Sequence, residues 1–459
     1  MNDEQQKTQK ERAWREGKRG EAPRDPRSGT ESPKAGARDE SLEGSTEKVM
    51  EEICQRDNLK RALKRVEENR GAPGVDGMKV EELRGYLRQE WPKLREQLLS
   101  GQYNPQPVRR VEIPKEGGGA RKLGIPTALD RFIQQAVQQV LQQQWDRTFS
   151  ESSYGFRPGR SAHQAVAKAQ EHIASGFPWV VDLDLEKFFD RVHPDRLMAR
   201  IAQRVKDKRL LKLIRAFLNA GAMEGGLVSR AEEGVPQGGP LSPLLSNLVL
   251  DELDKELERR GHHFVRYADD CNIYVKTEKA GRRVMASVSR YIEEKLRLKV
   301  NAAKSAVARP RERQFLGFSF TGGKTPKRRI GQNALERFKK RVRGLTRRVR
   351  GASLAQVVTE LSAYLRGWKA YFGFCQTPSV LKEMDSWIRH RLRTLKWAQW
   401  RNNWRRAKVL LQMGADRQVV FHTARCGYKP WRAGNSRVMN TTLDLAYFRT
   451  IGLVSLHGT

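Results

Sequence analysis

Two short segments concentrate carboxylates where packing gives them no obvious use. The first runs Val181-Asp182-Leu183-Asp184-Leu185-Glu186-Lys187-Phe188-Phe189-Asp190. In a strand, side chains alternate faces, so Asp182 and Asp184 would share one face while the leucines pack on the other. The second is Tyr267-Ala268-Asp269-Asp270, lying between two β-rich runs within residues 263–275, a pattern that predicts a hairpin. An isolated Asp-Asp at a turn is explained by turn chemistry alone. A strand-end Asp beside an Asp-Asp hairpin asks for more, because gathered carboxylates repel unless one takes up a proton or a cation joins them. An all-oxygen donor set suits Mg²⁺, which takes one or two protein carboxylates plus substrate phosphates. Two such ions, about 4 Å apart, can stabilise both the attacking and the leaving oxygens of a phosphoryl transfer.

The elements that must position these residues read as mixed α and β. Leu129, Phe132, Ile133, Val137, Val140 and Leu141 recur at helical spacing over residues 129–145, and Trp179 to Leu185 reads as a strand. Helices alternating with such strands predict an α+β arrangement with a small antiparallel sheet. Further on, Leu335, Phe338, Val342, Leu345 and Val349 form one apolar stripe whose other faces carry arginines and lysines. Ser353 can cap a helix with the stripe Leu354, Val358, Leu361, Leu365, Trp368 and Phe372, and a third helix is expected from Leu381 to Trp397. Trp397, Trp400 and Trp404 stand at steps of three and four, which predicts one face, available for packing or for stacking on bases.

Charge narrows the partner. The 459 residues carry 88 Lys+Arg against 53 Asp+Glu, a net +35 that makes a polyanion, and above all nucleic acid, the expected partner. Residues 1–50 are neutral, with 11 basic and 11 acidic residues and almost no large apolar ones, so residues 1–48 are expected to be a disordered tail. Residues 331–459 hold 25 basic and 6 acidic residues and six of the ten tryptophans. No apolar run approaches the ~18 residues of a membrane-spanning helix, and the N-terminus has no apolar signal region. Cys54, Cys271, Cys375 and Cys426 are scattered without a C-x-x-C pair, which argues against a disulfide framework or a zinc module.

The order of motifs resembles the reverse transcriptase/maturase encoded by bacterial group II introns. Gly71-Ala72-Pro73-Gly74-Val75-Asp76-Gly77 is similar to that family's N-terminal extension block. Ile113-Pro114-Lys115 with Arg121 to Pro126, then Ser153 to Ser161, resemble the fingers motifs. Asp184 to Asp190, Gly234 to Pro243, the Tyr267–Asp270 box, Leu298 to Ser305 and Phe315 to Phe318 follow in the family's order, and Leu365-Arg366-Gly367-Trp368 resembles its maturase domain. The resemblance implies a right-hand polymerase fold, with fingers and palm over residues 49–320. A helical thumb/maturase domain would follow over 321–405, and a basic DNA-binding region over 406–459.

By the same resemblance, Asp184, Asp269 and Asp270 would be catalytic and, with Leu185, would hold two Mg²⁺ ions, Mn²⁺ being a substitute. Asp182 and Asp190 do not match the metal positions. Lys115 and Arg121 match residues that grip the triphosphate, Phe189 the ring that excludes a 2′-hydroxyl, and Gln237 the residue beside the sugar. Asn301, Lys304, Arg343, Arg347 and Arg366 would contact primer and template. The partners implied are intron RNA, a DNA target and primer, and deoxynucleoside triphosphates, in the bacterial cytoplasm at the nucleoid, with oligomeric state left open. Many relatives continue into a Cys- and His-rich endonuclease domain that is not expected here. Two alternatives share the fold: a splicing-only RNA-binding maturase, and a domesticated or host-defence reverse transcriptase.

Overall fold

The computed structural model describes residues 48–114, 120–224, 227–229 and 238–458. The expected tail before residue 48, Lys115 and Gln237 lie outside these, as do the side chains of Arg121 and Asp190. The chain divides into two compact units between Arg309 and Pro310.

In the first unit the strands are β1 (Val108–Pro114), β2 (Ala120–Ile125), β3 (Trp179–Leu183), β4 (Ala222–Glu224), β5 (Leu227–Ser229), β6 (His263–Tyr267), β7 (Asp270–Val275) and β8 (Ala306–Ala308). They form two sheets, in the orders β2-β1-β4-β5 and β6-β7-β3-β8. The second sheet is antiparallel throughout, as expected. The first is not, because β1 runs parallel to β4.

The expected helix at 129–145 is Ala128–Trp145. Thr127 starts it by accepting the Asp130 N–H and donating its hydroxyl to the Asp130 carboxylate at 2.7 Å. Phe132, Ile133, Val137 and Leu141 of this helix are buried in a core that also takes in Val181 and Leu183 of β3 and Ile273 of β7. The helix Ser242–Arg259 buries Leu244, Leu248 and Leu257 in the same core. Two layers thus fix the sheet that carries the carboxylates.

The second unit opens with β9 (Phe318–Phe320) paired to β10 (Arg328–Ile330), followed by helices Gln332–Leu345, Leu354–Phe372 and Pro378–Gln399 and several shorter ones. The second compact unit begins at Pro310, ahead of the domain boundary expected at residue 320. Phe318 packs with Tyr371 and Phe372 at ring separations of 5.6 and 5.4 Å, which joins the Phe315–Phe318 block to the second unit. Phe338, Trp368 and Phe372 continue this aromatic spine at 4.6 and 4.7 Å.

Two expectations in this unit need correction. The stripe ending at Val349 does not continue as one helix: the helix stops at Leu345, Thr346 returns its N–H to Val342, and Val349 is 90% exposed. Trp397, Trp400 and Trp404 do not share a face either. The helix ends at Gln399, so Trp397 and Trp400 are buried while Trp404, on the next helix, is 70% exposed. Among the described residues no helix is long and apolar enough to cross a membrane.

Phe338 is fully buried at the centre of this spine. Phe338→Ala should cost about 3–5 kcal/mol by leaving an aromatic-sized cavity. Denaturant unfolding measures it; a loss below about 1 kcal/mol would mean that the spine does not support the unit.

Candidate active site

The carboxylates meet at the ends of neighbouring strands. In the β3–β7 register Asp182 faces Asn272 and Leu183 faces Cys271, so Asp184 leaves β3 beside the start of β7, where Asp270 stands. The Tyr267–Asp270 hairpin closes through only Ala268 and Asp269, and Ala268 takes a left-handed φ of 57°. A non-glycine residue there is strained, and strain of this kind persists only where surroundings enforce it.

Those surroundings can be named. Arg266, on β6 two residues before the turn, is fully buried. It makes a bidentate pair with the equally buried Asp254 at 2.7 and 2.6 Å. Its remaining donors reach the Ala268 carbonyl (2.9 Å), Asn247 Oδ1 (3.0 Å) and Ser153 Oγ (2.7 Å). Burial opposes the guanidinium charge, but the Asp254 carboxylate outweighs that and raises the group above its ordinary value.

Asn247 also donates to the Gly155 carbonyl at 2.8 Å, and residues 152 and 154 hydrogen-bond the Arg266 backbone. Gly155 lies so close beneath the turn that a Cβ on it would stand 2.3 Å from the Ala268 nitrogen. The helix Ser242–Arg259, the 152–156 segment and the hairpin are thereby locked into one piece. Ser153 opens one of the resembling blocks and Arg266 immediately precedes the Tyr267–Asp270 box, but sequence gives neither them nor Asp254 and Asn247 a role. The available signal was an arginine inside the apolar run Phe264-Val265-Arg266-Tyr267, which demands a buried partner.

A second support holds Asp184. Asn301 donates its backbone N–H to the Asp184 carbonyl at 2.8 Å and its side-chain amide to the Asp184 carboxylate at 3.0 Å. Ser305 Oγ accepts the Asp184 N–H at 3.0 Å, and Lys304 Nζ lies 3.7 Å from the same carboxylate. Asn301 and Lys304, expected to contact primer and template, are thus gathered onto Asp184. Leu185 is buried and bridges to Val300. Phe188 is buried, whereas Phe189, set at right angles to it at 5.1 Å, is only partly covered. Arg343, Arg347 and Arg366 are exposed on the second unit.

Electrostatically the carboxylates of the site outweigh the neighbouring Lys304 ammonium. Asp270 keeps a solvent-facing edge, yet crowding by protein and then the carboxylates of Asp269, Asp182 and Asp184 push it up to about 7, against the opposing pull of Lys304. Oxygen donors that repel one another in this way fit a divalent cation. Among the described residues no three acidic, His or Cys side chains already form an ion-holding group.

Comparison with known proteins gives the family. Residues 113–320 match the family described as Reverse transcriptase (RNA-dependent DNA polymerase), and residues 335–414 match Group II intron, maturase-specific domain. Protein YkfC of Escherichia coli K12 is 34% identical over 323 residues, covering 62% of this chain and 84% of that protein. The chain belongs to the group II intron reverse transcriptase/maturase family. As a member of it, the chain is an RNA-directed DNA polymerase with a maturase-specific domain, and the family works with divalent metal ions. The group II intron-encoded protein LtrA of Lactococcus lactis is 38% identical over 188 residues, but this reverse transcriptase/maturase spans only 31% of LtrA's length, using 41% of its own. Among solved structures, a chain of a partial Cas6-RT-Cas1–Cas2 complex is 27% identical over 54% of this reverse transcriptase and 42% of that chain, with a TM-score of 0.34.

Two variants test the turn. Gly155→Ala forces a methyl into the Ala268 amide and should lower primer extension at least about ten-fold, since small displacements of catalytic groups are that costly. Extension at the wild-type rate would show that the contact does not set the turn. Asp254→Ala leaves Arg266 buried without a counter-charge and should cost about 3–5 kcal/mol in thermal or denaturant unfolding. Arg84→Ala, which breaks the exposed Arg84–Glu67 pair, should cost under about 1 kcal/mol. Equal losses in the two would count against a buried pair.

Proposed function

We propose that this chain copies the RNA of a group II intron into DNA at Asp184, Asp269 and Asp270, and that it also binds that RNA to promote its splicing and mobility. The observation that carries this reading is the placement of Asp184 beside the Asp269–Asp270 turn, each held by its own set of hydrogen bonds. Two Mg²⁺ ions, bound through these aspartates and the Leu185 main chain, would supply Lewis-acid stabilisation of the attacking and leaving oxygens.

The protein's own residues do the positioning. The Arg266 network sets the turn that presents Asp269, and Asn301 orients the Asp184 carboxylate. Lys304, beside Asp184, offsets part of the negative charge before substrate arrives. The 3′-hydroxyl of a primer attacks the α-phosphate of a deoxynucleoside triphosphate, a P–O bond forms, and pyrophosphate leaves. Lys115 and Arg121 are assigned to the triphosphate and Gln237 to the nucleotide sugar. Phe189, less covered than Phe188, is assigned to block a 2′-hydroxyl. Arg343, Arg347 and Arg366 are assigned to primer and template phosphates, with a steep loss of affinity in salt. The reaction is assigned to the bacterial cytoplasm, with the ribonucleoprotein acting on nucleoid DNA.

Three outcomes test this reading. Asp269→Asn should abolish primer extension on an RNA template in Mg²⁺ while RNA affinity stays within about three-fold, since a cleft carboxylate is not among the phosphate contacts. Extension near the wild-type rate would remove Asp269 from the mechanism. Asn301→Ala should lower activity about 10–100-fold, the usual cost of losing a ligand's hydrogen-bond partner. A loss confined to stability would make Asn301 structural. Phe189→Ala should admit ribonucleotides; unchanged discrimination would mean that another group reads the sugar.

A further inference from the structure

The second unit contains a cavity of about 340 Å³ whose lining includes none of the catalytic aspartates. It lies among the Thr346–Val349 segment, the Pro378–Gln399 helix and Trp431. The size is at the small end of ligand pockets, which run from about 300 Å³ upward. Two of its walls are built closely. Arg391 Nε donates to Thr346 Oγ1 at 2.7 Å, and a Cβ on Gly434 would stand 2.6 Å from Thr394 Oγ1, so the backbone there rests directly on the long helix. The His390 ring lies 3.9 Å from the Trp431 ring, and its Nε2 is 2.8 Å from the Trp431 carbonyl oxygen, which fixes the indole at the rim.

The chemistry of the lining is specific. Arg347, Arg348 and Arg391 contribute three guanidiniums, and Arg343 stands close behind with Arg391, both over the Trp387 ring at 5.8 and 5.3 Å. Among the described residues none of these four arginines is paired with a carboxylate. Burial, and then the Arg343 and Arg348 charges, lower the affinity of Arg391 for its proton, the sign of a cation cluster without its anion. Against the cations stand two exposed apolar groups, Val349 at 90% and Trp431 at 48%. Guanidiniums that call for an anion, beside an exposed indole that calls for a flat ring, are the two halves of a nucleotide site. An acidic peptide would satisfy the charge and leave the indole without a planar partner.

We propose that this cavity takes one unpaired nucleotide of an RNA strand. Its base lies on Trp431 and Val349, and its flanking phosphates are held by Arg348 and Arg391. The pocket would let the second unit recognise a splayed-out base rather than a paired helix, which is how sequence-specific RNA recognition generally works. The inference rests on the proposal that this unit binds RNA, and it names the feature of RNA that is read.

The test uses the full chain and three RNA hairpins that differ at one position: a single unpaired uridine, an abasic residue in its place, and a fully paired stem. Affinities are measured at one fixed ionic strength, because phosphate contacts vary steeply with salt. The chain should bind the unpaired-uridine RNA about ten-fold tighter than the abasic one, the usual scale for stacking one base on an aromatic ring. Trp431→Ala should erase that difference, and Trp431→Phe, which keeps a ring, should retain most of it. A 4-thiouridine at the same position should crosslink to residues 346–349 or 431. Equal binding of the uridine and abasic RNAs by the wild-type chain, or an undiminished preference in Trp431→Ala, would overturn the pocket while leaving RNA binding by this unit intact. Failure to bind any of the three RNAs would overturn both the pocket and the maturase reading. The same preference in hairpins of the same sequences made of DNA would overturn the assignment to RNA.

Discussion

A single buried ion pair holds the geometry of the catalytic centre. Arg266 and Asp254 are both removed from water, and each would be costly there without the other. Once paired, the guanidinium still has donors to spend. It uses them on the Ala268 carbonyl, Asn247 and Ser153, so a long helix, a strand edge and a two-residue turn become one rigid body. The strained φ at Ala268 is held from outside by this network, and Gly155 leaves room for it. Asp269 stands at the apex of the turn that results.

Asp184 is governed by a parallel arrangement on the opposite strand. Asn301, Lys304 and Ser305 reach it from one short segment, through backbone, amide, ammonium and hydroxyl groups. These contacts fix Asp184 beside the turn, although burial and then the neighbouring carboxylates raise Asp270 to about 7. The site keeps an arrangement that charge alone would scatter, and hydrogen bonds on each side supply the restraint.

Much of the fold was legible in the amino-acid pattern. The Ala128–Trp145 helix, the strand before Asp184, the hairpin and the Ser353-capped helix follow from periodicity and capping, which are local properties. The failures have local causes too. The stripe through Leu345 continues to Val349 on paper, but it cannot reveal that Thr346 ends the helix and turns the arginines outward. Tryptophans at helical spacing looked like one face because the break after Gln399 leaves no mark in spacing. The Phe315–Phe318 block lies inside the reverse transcriptase match that ends at residue 320. Its ring contacts with Tyr371 and Phe372 lie within the second compact unit, a packing that the sequence does not show.

The sequence by itself determined the chemistry. The aspartates, their strand and turn setting, and the excess of basic residues are properties of residue type and order, which no packing can alter. Tertiary structure decided which groups make that chemistry possible. Arg266 finds Asp254 twelve residues away, Asn301 finds Asp184 across 117 residues, and arginines from two separate segments gather beside Trp431. Such partnerships depend on which surfaces come to share a core, and residues distant along the chain carry no periodic signal of meeting.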